Sequence, residues 1–154
     1  MRHAVAVALA FSILSLFVGV LASSGRADDI VDQRERVFRT EAEKDFVLDQ
    51  MRLLLSSITE IEEGLGTDDL NLVAREAAAC GRKANKTLAR PPAWAAKESE
   101  AWKAMFLSVR NGFDAVADQA QAHAPVAKIN KTLADTMRNC VACHQTYRIA
   151  VEAR

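Results

Sequence analysis

The sequence predicts an all-α protein, an antiparallel up-down-up-down four-helix bundle, and three observations carry that expectation. Half of the 154 residues are hydrophobic and 26% are charged, a balance that suits one globular domain with a core of its own. Glycine and proline are scarce, at 6 and 3 residues, while Ala, Leu, Val, Glu, Lys and Arg dominate, and these favour helix over strand. Four segments then repeat apolar residues at spacings of three and four, the period of a helix packed in a bundle.

The chain begins with the basic start Met1-Arg2-His3, an uncharged apolar run from Ala4 to Leu21, and small or polar residues from Ser23 to Ala27. That order is the architecture of a secretory signal over residues 1–27. The run is also just long enough to weigh as a membrane span, but Gly25 and Ala27, at the third and first positions before Asp28, favour cleavage there. The mature chain, residues 28–154, is then one domain, expected in the periplasm and not membrane-spanning. Residues 28–40 are charged and weakly periodic, and read as an early extension of the first helix or a loose arm.

The first helical stripe is Val47, Met51, Leu54, Ile58, Ile61 and Leu65, and Gly64 to Gly66 mark its end. Thr67, Asp68 and Asp69 offer capping oxygens to the second helix, whose stripe runs through Leu70, Val73, Ala77, Cys80 or Ala84, and Leu88. Pro91 and Pro92 close it. The third stripe is Trp102, Phe106, Val109, Phe113 and Val116, with Pro125 at the corner that follows. The fourth aligns Val126, Ile129, Leu133, Met137, Cys140, His144, Tyr147 and Val151. Short connections make sequential helices antiparallel neighbours.

Charge excludes one broad class of partner. Lys and Arg together number 20, as do Asp and Glu, and loss of residues 1–27 leaves 18 basic against 20 acidic. Nucleic-acid binding needs clustered cations to neutralise phosphates, and no basic run is present in the sequence. No Ser/His/Asp set, paired-carboxylate site or glycine-rich phosphate loop is legible, so an enzyme is not expected. Glu60, Glu62 and Glu63 read as a solvated helix face.

Chemistry is concentrated at Cys140-Val141-Ala142-Cys143-His144, the attachment sequence for c-type haem. Two thiols three positions apart can form thioethers to the two vinyl groups of one porphyrin, and the next residue aims an imidazole at the iron. An export signal agrees with this, because attachment takes place outside the cytoplasm. A disulfide redox pair would fit the cysteine spacing, but it usually sits beside a βαβ pattern. A structural zinc site would need Cys80 and His123 as its further ligands.

With His144 followed by Gln145-Thr146-Tyr147-Arg148, and with the motif near the C-terminus of a four-helix pattern, the chain resembles the cytochrome c prime family, the class II c-type cytochromes, over most of its mature length. The resemblance implies one haem c per chain inside the bundle, with Cys140 and Cys143 as anchors and His144 as the proximal iron ligand. It implies a distal group from the middle of the first helix, where Met51 stands. A histidine/methionine pair raises the reduction potential and suits electron transfer with a redox partner protein. In the gas-binding members an apolar residue takes this position, and the five-coordinate iron binds a small gas such as nitric oxide. Homodimers that pair through the first two helices occur in the family.

The first helix departs from the family pattern: Leu48, Asp49 and Gln50 stand where members often carry a basic residue, and Trp94 and Trp102 do not align firmly with the family's third-helix aromatics. Met105 lies just off its stripe and Met137 one turn before Cys140, which makes both poor distal candidates. Methionine is also good core filler, and that is the alternative for Met51. Cys80 reads as a buried small hydrophobe, His123 as a solvated loop residue, and Tyr147 as packing. Arg148, four residues past His144, is placed to pair with a haem propionate or else is an exposed cation near a helix end.

Overall fold

The computed structural model describes residues 32–83, 94 and 96–151. The expected signal segment, residues 1–27, and Ala84, Leu88, Pro91 and Pro92 lie outside them. In chain order the elements are β1 (Glu35–Arg39), α1 (Glu41–Gly66), α2 (Leu70–Cys80), α3 (Glu100–Gln121), α4 (Val126–Thr146) and β2 (Tyr147–Val151). The protein is mostly helical, with four helices among the described residues, as the composition and the stripes lead one to expect.

Local chemistry sets the helix ends. Thr40 and Glu43 form a reciprocal capping box that starts α1. At the other end Thr67 donates its amide to the Glu63 carbonyl, and Asp68 turns the chain with a positive φ of 57°. Asp69 then caps α2, its side chain accepting from the amides of Asn71 and Leu72. The turn is tight because Gly64 lacks a side chain: a Cβ there would lie 2.8 Å from Cγ2 of Val73. Ser99 caps α3 by accepting from the Trp102 amide.

Each helix packs on the next along the chain, and the shared core holds Ile61, Val73, Phe113, Val116, Ile129 and Leu133, all completely buried. Arg110 fastens α3 to the end of α2 by donating to the Cys80 carbonyl at 2.7 Å. At the crossing of α3 and α4, Gly112 faces Thr136 so closely that a Cβ would meet the threonine side chain. By contrast α1 and α4 scarcely approach each other. A gap is left between them. Among the described residues no helix is long and apolar enough to cross a membrane.

Two corrections concern the ends of the domain. Part of the segment expected as a helix extension or loose arm is strand β1, and the last helix stops at Thr146, so that Tyr147 and Val151 belong to a strand and not to a helical stripe. The strands pair in parallel, with Glu35 opposite Tyr147, Val37 opposite Ile149 and Arg39 opposite Val151. Parallel strands need a crossover connection, and here all four helices serve as that crossover. Two forces override helix propensity: the capping box at Thr40 blocks extension of α1 backwards, and Val37 and Arg39 are buried on alternate positions of β1. The second helix ends at Cys80, where Gly81 turns extended.

Candidate functional site

Where α1 and α4 fail to meet, the structure has a cavity of about 300 Å³, at the lower end of the range for small-molecule and cofactor sites. From α4 it is lined by Cys140, Cys143 and His144. Spacings of three and four put these on one helix face, while Val141 between them is exposed. From α1 come Val47, Met51 and Leu54 of the apolar stripe, with Leu48 beside them. From α3 come Trp102, Met105, Phe106 and Val109, and from β2 Tyr147, Arg148 and Ile149. Arg34, immediately before β1, completes the lining.

Sequence reasoning named Cys140, Cys143, His144, Met51 and Arg148, and all five line this one cavity. Met137 does not; it is exposed on the surface of α4. Met105, set aside for lying off its stripe, does line it. Cys80 is buried in the helical core, away from the cavity, and His123 is an exposed turn residue with φ of 49°. Arg34 and Ile149 were missed, since both sit in segments not read as strands. In sequence Trp102 shows as part of a stripe and does not align firmly with the family's third-helix aromatics, so its place in the lining is not legible there.

The electrostatics of the lining are one-sided. Arg34 and Arg148 bring two cationic side chains, no aspartate or glutamate is present among the described residues that line it, and the remainder is overwhelmingly apolar. Arg34 donates from Nη1 to the backbone carbonyl of His144 at 3.1 Å. That carbonyl lies in the last turn of α4, where carbonyls lack helical partners and the helix dipole attracts a cation. The amide of Tyr147 closes the same turn on the Cys143 carbonyl. Burial raises the Cys140 thiol above its ordinary pKa; Cys143 is raised by burial and then by its neighbour Cys140. Both thiols are therefore protonated at neutral pH.

Trp102 holds the wall between α3 and β2. Its ring meets that of Tyr147 edge to face, 5.1 Å between centroids at 76°, an arrangement aromatic pairs prefer. The Trp102 indole N–H is buried without an acceptor, which costs about 1–3 kcal/mol unless a ligand supplies one. Beyond it lies a second cavity of about 30 Å³, which shares Val47, Met51, Trp102 and Phe106 with the first and is bounded further by Glu98 and Arg110.

Among the described residues no group of three or more His, Cys, Asp or Glu side chains is arranged to hold a metal ion. A haem iron asks less of a protein than a bare ion, because the porphyrin supplies the equatorial nitrogens and leaves one or two positions to side chains. The residues present fit such a group: adjacent thiols, an imidazole one turn on, thioethers from two other helices, an apolar enclosure and an unsatisfied donor. The chain matches no family model, no curated protein and no solved structure.

Proposed function

We propose that the protein is an exported, periplasmic c-type cytochrome: an antiparallel four-helix bundle of the cytochrome c prime kind, carrying one haem c and passing electrons to or from a redox partner protein. The observation that carries this reading is that one apolar cavity is lined by the whole Cys140, Cys143 and His144 motif and, from another helix, by Met51. Cys140 and Cys143 anchor the porphyrin, His144 is the proximal ligand, and Met51 is the distal candidate. Bound there, the haem supplies a one-electron iron couple. The chain's own residues set its surroundings: the α1 and α3 side chains exclude water, and Arg34 steadies the end of the helix that presents His144.

Two measurements on the full chain, produced in a host that attaches haem, test this. Mass spectrometry is expected to find one haem covalently bound, lost when Cys140 and Cys143 are both replaced by alanine. The visible and near-infrared spectrum of the ferric protein is expected to be low-spin with the far-red band of methionine ligation, abolished by Met51→Ala and kept by Met105→Ala. Covalent haem with that band abolished by Met105→Ala instead would transfer the distal role to α3. No covalent haem at all would sink the reading.

One observation favours a second reading, a five-coordinate haem that binds a small gas such as nitric oxide. The smaller cavity beside Met51 would leave room for a diatomic molecule and for the side chain to move aside. A high-spin ferric spectrum unaffected by Met51→Ala would select it.

A further inference from the structure

The cavity lining is sorted by chemistry along its length. Trp102 touches Tyr147, the first residue of β2, and Arg148 follows; Arg34 precedes β1, which pairs with β2. These hydrogen-bond donors gather at the end of the cavity where α4 stops. Farther along the helices Leu54, Phe106 and Val109 line it, and among the described residues no acidic side chain lines it. An apolar enclosure with two guanidinium groups at one end selects a ligand with a large apolar body and an anionic edge. Carboxylate is the group whose geometry a guanidinium fork matches best.

Resting on the haem reading above, we propose that Arg34, Arg148 and the Trp102 indole form a carboxylate cradle that receives the propionate edge of a tetrapyrrole and so orients it in the cavity. Arg34 serves the site in two ways, since the residue lines the cavity and its guanidinium donates to the His144 carbonyl. This gives the parallel strand pair a function. It brings a residue from the beginning of the domain, 110 positions before His144, to the end of the helix that bears the attachment motif.

The test uses the full chain made without haem attachment and titrated with zinc protoporphyrin and with its dimethyl ester, which differ only in the carboxylates. The free acid is expected to bind roughly tenfold more tightly than the ester, as suits charge-assisted hydrogen bonds. In Arg34→Gln/Arg148→Gln the preference should shrink to about twofold or less, with ester affinity unchanged, and Trp102→Phe should lose a smaller part of it. Equal binding of acid and ester by the wild-type chain, or an equal loss of both in the double variant, overturns the cradle while leaving the haem reading intact. Binding of neither porphyrin, together with no covalent haem in the attaching host, overturns both. If the haem-free chain is not helical by circular dichroism, resonance Raman spectra of the haem-loaded chain decide: the propionate bending bands must shift in Arg34→Gln, and unshifted bands overturn the cradle.

Discussion

Arg39 and Glu98 form a buried ion pair, with Nη2 donating to Oε1 at 2.7 Å and the two side chains only 1% and 2% exposed. The pair ties the last residue of β1 to the residue before the α3 cap, and Arg39 also donates to the carbonyl of Phe38. Desolvating two charges is costly, so such a pair adds little net stability, but breaking it strands a charge. Glu98→Ala is expected to destabilise the protein by about 3–5 kcal/mol. Arg39→Met/Glu98→Leu should recover most of that loss in urea melts; a double variant no more stable than Glu98→Ala would show that the geometry itself matters.

Acid should weaken the same region. The Thr40 backbone amide, followed by Lys97, which donates to the carboxylate at 3.0 Å, holds Glu43 below its ordinary pKa of 4.5. A carboxyl with a depressed folded pKa contributes stability above the ordinary value and loses it as pH falls through the folded one. The expected outcome is a stability decline below pH 4.5 that is shallower in Glu43→Gln, since glutamine keeps the capping acceptor but does not titrate. Parallel declines in both proteins would assign the acid sensitivity to other carboxyls.

The three cysteines should separate by reactivity. Cys80 is buried, and burial raises its thiol despite a hydrogen bond with Ser57, whereas Cys140 and Cys143 are half-buried beside the cavity. In the haem-free chain, alkylation followed by peptide mapping should modify Cys140 and Cys143 and spare Cys80, with rates that rise as pH climbs past the ordinary thiol range. Labelling of Cys80 at a rate like theirs would mean that the end of α2 opens readily.

Gly112 controls how closely α3 and α4 approach. An added Cβ would lie 2.2 Å from Oγ1 of Thr136, a hydroxyl already donating to the Thr132 carbonyl. Gly112→Ala is expected to cost about 1–3 kcal/mol through overpacking, despite alanine's better helix propensity. Because α3 and α4 each wall the cavity, the variant should also bind zinc protoporphyrin more weakly, and unchanged affinity would show that the helices can move apart without disturbing it.

How legible all this is in the sequence depends on the kind of signal each feature leaves. The helical stripes lie where the core is, because a bundle-facing helix repeats its apolar residues; Ile61, Phe113 and Leu133 each sit on one. The strands leave almost no such mark. On β1 the buried alternate positions are Val37 and Arg39, and an arginine that is buried through an ion pair looks, in sequence, like a surface residue. On β2, Tyr147 and Val151 fall at helical spacing from His144 and continue a stripe the backbone has abandoned. Cys140, Cys143 and His144 are readable together because spacings of three and four put them on one helix face. Arg34, Trp102 and Met105 are brought to the cavity by tertiary packing, which no local spacing encodes.

The parallel pairing of β1 with β2 also bears on the order in which the chain can fold. Its partners come from opposite ends of the domain, so the strands can join only after the intervening helices have compacted enough to offset the entropy of closing so long a loop. The residues of β2 are thus fastened only after those helices. Until they are, the gap between α1 and α4 lacks its strand wall, and the cavity stands open on a side that the finished fold narrows.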